Sequence, residues 1–450
     1  MKSAAFCTLG CKVNQYETDA MRELFENSGY EIRNFNEIAD IYIINTCTVT
    51  NMADRKSRQM LHRAKKKNPK SLVVAVGCYV QASAKDIADD PYIDLVIGNN
   101  KKKEIVSIVE NHLPEYAVKE TVVDIGREWE YEALRISKVS EHTRAYIKIQ
   151  DGCNQFCSYC IIPYARGRVR SRQPEDIFSE VEALVKNGYK EIVLTGIHIS
   201  SYGMDFAGEK ISYNSQDFYN KCDALISLIE KLDSIRGLER IRLGSLEPRI
   251  ITEAFANRLL GVKKLCPHFH LSLQSGCDET LRRMNRHYTT QVYKEKCGLL
   301  RRLFDRPGIT TDVIVGFPGE TEEEFRMTKQ FLEDIHFSEM HIFKYSRRKG
   351  TRAAEMDCQV DEQIKTKRSN ELIDMNQRFR EDYEALCLGK RLEILIEESQ
   401  EISGKVYQTG HSREYFRVAV ETGDALDNQM IYGEIAGKLN GEILLCKRID

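Results

Sequence analysis

A chain of 450 residues is too long for one ordinary domain, so two to four are expected. Apolar residues at 42% and charged residues at 30% give a soluble globular balance, and 27 Gly with 9 Pro are too few for a collagen-like or low-complexity chain. The formal charge of -2 says nothing about partners by itself. No apolar run approaches the ~18 residues of a membrane span, and the N-terminal MKSAAFCTLGCKVNQYE is broken by Lys12 and Asn14 and cannot serve as a signal peptide. The expectation is a cytoplasmic protein with no membrane partner.

Residues 1–113 alternate strand and helix. Short β-branched runs at Ala4–Leu9, Asp40–Asn45, Leu72–Val76 and Asp94–Ile97 are separated by helical patterns such as Glu17–Asn27 and Arg55–Lys67, which predicts an open parallel α/β sheet. The segment 114–140, charged and carrying the only tryptophan, Trp129, reads as a connector. From 141 to 387 a second alternation places strands at Arg144–Gln150, Glu191–Thr195, Arg240–Gly244, His268–Leu273, Thr310–Val315 and Met340–Tyr345. Helical patterns at Asp176–Lys186, Ala224–Leu232 and Glu322–Ile335 fill gaps between them, and six such units make an incomplete TIM-like (β/α)6 barrel. Gly203–Asn220 reads as a loop insertion, and Asp361–Leu386 as a long helix with a mostly solvated charged face. Residues 388–450 change character: Arg391–Ile396, Tyr415–Val420, Met430–Ala436 and Glu442–Cys446 are short strands between Gly and Asp turns, a small all-β barrel.

Fourteen cysteines in a reducing compartment are not a disulfide framework. Cys153, Cys157 and Cys160 crowd into GCNQFCSYC, directly after the first barrel strand. Structural zinc wants four closed ligands, and no fourth Cys or His lies near in the loop. A [4Fe–4S] cluster on three thiolates keeps one iron open to a ligand. Cys11, Cys47 and Cys78 each follow a predicted strand of the first sheet, at the edge where open α/β sheets bind ligands; they are either a ligand trio or three unrelated core residues. Cys7 reads as a strand residue, and most of the others as scattered core positions.

Active sites of such barrels lie at the carboxyl ends of the strands. There the sequence offers Gly196, Ser245, Glu247 and Gln274, the glycines of VGFPGET, and Ser346, Arg347 and Arg348. Glu320 and Glu322–Glu324 crowd the helix start after VGFPGET and answer its dipole themselves, so a phosphate cradle is not expected there.

The Cys-x-x-x-Cys-x-x-Cys loop resembles that of radical S-adenosylmethionine enzymes, and along nearly its whole length the chain resembles the methylthiotransferases among them. TLGCKVNQYET, NTCTVT and VGCYVQ match the segments that carry that family's auxiliary cluster. The resemblance implies two [4Fe–4S] clusters, one on Cys153, Cys157 and Cys160 and one on Cys11, Cys47 and Cys78. It implies S-adenosylmethionine as cofactor, with Gly196, Ser245, Glu247 and Gln274 as candidate contacts. The first cluster, once reduced, would cleave S-adenosylmethionine, and the 5′-deoxyadenosyl radical would attack C2 of an adenine. The auxiliary cluster would present the methylated sulfur. Cofactors carry this step because an aromatic C–H is beyond side-chain acids and bases.

TLGCKVN and NTCTVT resemble the subfamily that acts on threonylcarbamoyladenosine at position 37, in the anticodon loop of tRNA. The alternatives are isopentenyladenosine in tRNA, an aspartate of a ribosomal protein, or a non-enzymatic iron–sulfur RNA-binding or carrier protein. An electron donor such as flavodoxin or ferredoxin is implied, and nothing demands more than a monomer. For RNA contact, Arg166, Arg168, Arg170 and Arg172 alternate in ARGRVRSR; if extended, they point one way and offer phosphate contacts. The alternatives are a solvated or glutamate-paired stripe, or a cofactor contact. The C-terminal barrel stands in the place of the family's RNA-binding TRAM domain, but eight Lys or Arg against eleven Asp or Glu make it acidic. It is expected to act mainly as a lid or shape reader, with Lys405, Arg413 and Arg417 as a local basic face.

Overall fold

The computed structural model describes residues 2–449 apart from 85, 86, 88, 113–119, 138–142, 207–218 and 220–222. Its first sheet is parallel, built from β1 (Ser3–Thr8), β2 (Glu31–Arg33), β3 (Ile41–Thr46), β4 (Leu72–Gly77), β5 (Leu95–Ile97) and β6 (Glu120–Thr121), in the order β2-β1-β3-β4-β5-β6. Strands covered on both faces read as near-continuous apolar runs. Here Ile41, Ile43, Val74 and Val76 pack under Met21, Phe25 and Val109, while Tyr42, Ile44, Val73 and Ala75 pack under Leu61 and Ala64. The chain leaves β1 to one side for β2 and returns to the other for β3, so the switch point lies between β1 and β3.

All six expected barrel strands are present: β7 (Arg144–Asp151), β9 (Glu191–Gly196), β10 (Arg240–Leu243), β11 (His268–His270), β12 (Gly308–Val315) and β13 (Glu339–Lys344). β8 (Arg170–Ser171) pairs antiparallel on the edge of β7. Two parallel sheets, β10-β9-β7-β8 and β11-β12-β13, are joined by bridges at Ile241–Leu265 and Leu246–Leu271 into one open barrel. Alternate residues such as Ala145, Ile147, Ile192, Leu194, Ile241 and Phe269 pack outward in one large core with Leu184 and Ile229. Their neighbours in each strand therefore face the lumen.

The last strands, β14 (Arg391–Ile402), β15 (Lys405–Ser412), β16 (Arg417–Glu421), β17 (Met430–Lys438) and β18 (Leu444–Arg448), form a closed barrel in the order β14-β15-β16-β18-β17. The long helix spans Glu362–Ala385 and is capped by Asp361, whose side chain accepts from the Gln363 N–H. Its face is less solvated than expected, since Lys365, Arg368 and Glu384 are buried with Leu372, Met375 and Phe379. β2, β6 and β15 are additions to the expected elements. β6 makes part of the expected connector the edge of the first sheet. Of the expected insertion at 203–220, residues 207–218 and 220 lie outside the described residues.

The open barrel is covered at both ends. At the carboxyl ends of its strands, Arg348 reaches Asn51 Oδ1, Asp54 Oδ2 and Thr48 Oγ1, each at 2.7 Å, and so clamps the segment after β3 over the mouth. The closed barrel docks on the opposite end. Arg240 donates to the Glu393 and His411 carbonyls, Arg242 to those of Ser412 and Arg413, and Thr143 Oγ1 to that of Glu397. The expectation of a lid over the site is thereby corrected: this module closes the floor, because its partners are the first residues of the strands.

Candidate functional site

The loop after β7 is set by Gly152. Its φ is +71°, and a Cβ there would stand 1.8 Å from the Arg168 carbonyl oxygen, so no other residue fits. The Cys153 N–H donates to the Gly167 carbonyl, and the Cys160 N–H to that of Cys157. A second loop, about 130 residues on, grips the first. The Asn285 amide donates to the Gln155 and Phe156 carbonyls, Ser158 bonds to the Met284 and Arg283 carbonyls, and Arg286 Nη1 lies 3.3 Å from Cys157 Sγ. Burial pushes the Cys153 thiol up to about 12 and raises Cys160 further, and the neighbouring Cys157 adds to both. As thiolates the three would repel one another, so ionising them together calls for a cationic group at their centre. A [4Fe–4S] cluster on three thiolates keeps one iron open, the coordination these three cysteines offer.

Around this loop lie polar groups without partners. Glu247 is 2% exposed; Arg249 Nε engages its Oε1 at 2.8 Å while its Oε2 is buried and unpaired. His198 Nε2 is buried and unpaired as well, with Nδ1 held by Ser201 Oγ at 2.6 Å. Burial lowers this imidazole to about 4. Gln274 takes a φ of +75°, a strained conformation for this residue at a strand end. Ser245 is exposed at the rim. These orphaned groups fit a polar cofactor beside the three thiols. At Gly196 a Cβ would come within 3.0 Å of the Gln150 carbonyl oxygen and Oε1 and of Ile199, so this position admits a close approach of its neighbours to the backbone.

Cys11, Cys47 and Cys78 meet as the sequence suggested. Cys11 caps the helix Lys12–Asn27 after β1, Cys47 follows β3, and Cys78 follows β4, beside the switch point. Gly10 lies so close that a Cβ would stand 2.8 Å from Cys47 Sγ. Burial raises Cys11 and pushes Cys47 up to about 11, and Cys78 adds to both. Cys11 is nevertheless accessible, so the trio lines a recess rather than a closed core.

The arginine stripe is a correction. Arg166 ends a short helix, Gly167 turns the chain at a φ of +73°, and only Arg170 and Ser171 are extended as strand. Arg166, Arg170 and Arg172 are at most 2% exposed. Arg166 donates to Asn14 Oδ1, to both oxygens of Glu17, to Asp151 and, at 3.1 Å, to Cys78 Sγ. Arg172 is held by Glu180 and Tyr16. Arg168 alone keeps some exposure, stacked 4.6 Å over Phe156. The stripe thus joins the first sheet to the barrel and is not open to phosphates. Its partners Glu17, Asp151 and Glu180 are distant in sequence, which is why alternation misled. In the closed barrel Lys405 pairs with Glu421 and Arg417 with Glu398 at the exposed surface, while Arg413 latches the Lys263 and Leu265 carbonyls.

Around Glu17, four cations (Arg166, Lys102, Lys148 and Arg170) face two carboxylates, Glu17 and Asp151. This surplus of positive charge beside Cys78 fits an anionic, thiolate-held group. After VGFPGET, Glu320 accepts from the Gly316 N–H and from Arg368, and Thr321 with Glu324 forms a capping box, so protein groups fill that helix start.

Comparison with known proteins agrees with this geometry. The Radical SAM superfamily profile matches residues 147–332, and that of Uncharacterized protein family UPF0004 matches residues 3–98. The chain is 41% identical over 420 residues to the threonylcarbamoyladenosine tRNA methylthiotransferase MtaB of Bacillus subtilis (strain 168), covering 93% of this chain and 90% of that one. It is 34% identical over 435 residues to the tRNA-2-methylthio-N(6)-dimethylallyladenosine synthase of Finegoldia magna, covering 95% and 90%. The solved radical S-adenosylmethionine methyltransferase TsrM of Kitasatospora setae matches with a TM-score of 0.55 at 15% identity, over 77% of this chain and 73% of that one, a likeness of fold alone.

Proposed function

Because this chain belongs to the radical S-adenosylmethionine methylthiotransferase family, we propose that it methylthiolates C2 of N6-threonylcarbamoyladenosine at position 37 of tRNA. The observation that supports the reading is the contact between the two cysteine-bearing units, where Arg166, six residues after Cys160, donates to Cys78 Sγ and Asn99 donates to the Ala165 carbonyl. Cys153, Cys157 and Cys160 hold one [4Fe–4S] cluster, and Cys11, Cys47 and Cys78 hold the other. When bound, the first supplies the electron that cleaves S-adenosylmethionine and the second carries the sulfur to be transferred. Glu247, through its unpaired Oε2, takes the ribose hydroxyls or the ammonium of S-adenosylmethionine. Ser245, Gln274 and the Gly196 backbone complete that pocket. Arg286 donates toward Cys157, stabilising thiolate charge at the barrel-mouth cluster. The first sheet, clamped by Arg348, keeps water from the mouth, which radical chemistry requires.

The chain works as three units, 1–113, 141–387 and 388–450, joined by the connector 114–140, and as a monomer that takes its electrons from a flavodoxin- or ferredoxin-like donor. The last unit is a TRAM-like barrel. The preference for threonylcarbamoyladenosine over dimethylallyladenosine rests on the higher identity to the former's relative and on TLGCKVN and NTCTVT. No helix among the described residues is long and apolar enough to cross a membrane. The test uses reconstituted enzyme with S-adenosylmethionine and substrate tRNA. Cys157→Ala abolishes 5′-deoxyadenosine formation, whereas Cys47→Ala retains it and stops methylthiolation. Methylthiolation by the Cys47 variant contradicts the second cluster's assignment.

A further inference from the structure

The lumen of the open barrel holds a charged chamber that the redox chemistry does not use. Its floor is Tyr415 of the closed barrel, which has a φ of +82°, a strained conformation for a tyrosine. The ring stacks 4.8 Å from both His268 and His411 and lies beneath Arg242, at 4.7 Å, and Arg144, at 5.5 Å. The acids nearby are already engaged: Glu191 by Arg240 and Arg242, Glu393 by Arg240, and Glu397 by Arg144 and His411.

Lys12 points into this chamber. It lies within electrostatic reach of Tyr415, Arg144, Arg242, Glu191 and His268. It is accessible, yet protein crowds it closely and Arg242 and His268 behind it are buried, so it lines a recess rather than open surface. Among the described residues no ion pair or hydrogen bond engages it. Of the cations here, Arg144, Arg240 and Arg242 are engaged by Glu397, Glu191 and Glu393, and Asp312 in the wall is engaged by His270, which leaves Lys12 as the cation without a paired carboxylate among the described residues. It also follows Cys11 directly, one Cα step of ~3.8 Å along the chain. A group held by Lys12 therefore stands a lysine's length from the trio that would carry the sulfur.

Resting on the substrate reading above, we propose that Lys12, over the floor made by Tyr415, Arg144 and Arg242, binds the carboxylate of the threonylcarbamoyl group. The chemistry fits the two ends of that nucleoside. C2 must meet the sulfur beside Cys11, and the N6 substituent projects away from C2 and ends in a carboxylate. A dimethylallyl tail entering the same space would leave Lys12 unpaired in a chamber of polar walls, which disfavours it. The wall beside the floor carries His270, Asp312 and His341, with ligand atoms within 4.8 Å of one another, able to meet the threonyl hydroxyl. The closed barrel then contributes to the substrate chamber through Tyr415.

The test is equilibrium binding of the reconstituted full chain to two anticodon stem-loop RNAs. They are identical except that the threonyl carboxylate is free in one and a methyl ester in the other. The wild type is expected to bind the free acid about 10- to 100-fold tighter, the range of one charge-assisted hydrogen bond. Lys12→Gln is expected to bind both alike, and Lys12→Arg to restore the preference. Equal binding of the two RNAs by the wild type, or an undiminished preference in Lys12→Gln, overturns the proposal. The wild-type comparison decides the matter even if the variant fails to fold. Equal binding with methylthiolation of both RNAs sinks the carboxylate site alone; methylthiolation of neither sinks the substrate reading with it.

Discussion

Replacing Glu17 by Gln removes the carboxylate on which Arg166, Lys102 and Lys148 converge. Burial pushes this carboxyl up, but the three cations outweigh burial and hold it well below the usual carboxylate range. In the variant the same four cations face Asp151 alone, inside protein where none of these side chains is more than 6% exposed. Removing one partner of a buried pair costs about 3–5 kcal/mol, because the remaining charge is left uncompensated. Arg166→Gln makes an instructive contrast. It leaves three cations against two carboxylates, Glu17 keeps both lysines and Asp151 keeps Lys148. The loss there is that of the charge-assisted hydrogen bonds of Arg166 that its neighbours do not replace, about 1.5–3 kcal/mol for each. Urea unfolding of the metal-free, reduced chain, followed by far-UV circular dichroism, measures both. Amide exchange should map the Glu17→Gln loss to the helix Lys12–Asn27 and to β7. A loss below about 1 kcal/mol for Glu17→Gln would refute the charge count.

Arg286→Met removes a donor and a positive charge from Cys157 Sγ, so the barrel-mouth cluster should become harder to reduce. A spectroelectrochemical titration reads this as a more negative midpoint; an unchanged midpoint contradicts the contact. Gly152→Ala drives a Cβ into the Arg168 carbonyl and should cost the protein about one cluster's iron, measured per chain, while the other cluster's spectrum persists. Acid should destabilise the fold in two windows. His198 is lowered by burial to about 4, so its contribution is complete above the ordinary histidine value of 6.5 and is lost as pH falls toward 4. Glu191 is pushed up by burial but brought down to about 2 by Arg242, Arg144 and Arg240, so its contribution, about 3 kcal/mol, is full above 4.5 and is lost as pH falls toward 2. Glu191→Gln should shrink the lower window, which Glu17 and Asp151 share, in a pH series of unfolding midpoints and leave the upper one.

Much of this architecture was legible because it rests on local pattern. All six barrel strands show in sequence, since each is a short apolar or alternating run, as in Arg240–Ile241–Arg242–Leu243. β2 and β6 are three and two residues long, too short to carry a period, and β15 hides behind Gly410 and polar neighbours in KVYQTGHS. One cysteine trio stands out by its spacing, whereas strand ends only make the other a possibility and the family resemblance of its three segments singles it out. Arg286, Asn285 and His198 were not legible, because only the folded chain brings them to the cysteine loop. The arginines at 166, 170 and 172 show the limit most clearly: the same alternation describes an exposed basic stripe or a buried one, and carboxylates elsewhere in the chain decide. Likewise nothing local in Lys12 or Tyr415 marks a shared chamber, since they come from opposite ends of the sequence.

The most direct measurement is mass spectrometry of tRNA nucleosides from cells with and without the gene for this chain. Loss of 2-methylthio-N6-threonylcarbamoyladenosine, with accumulation of its unthiolated precursor, is the result expected. An unchanged nucleoside profile would contradict the assignment to tRNA, and loss of a 2-methylthio-N6-dimethylallyladenosine signal instead would contradict the substrate.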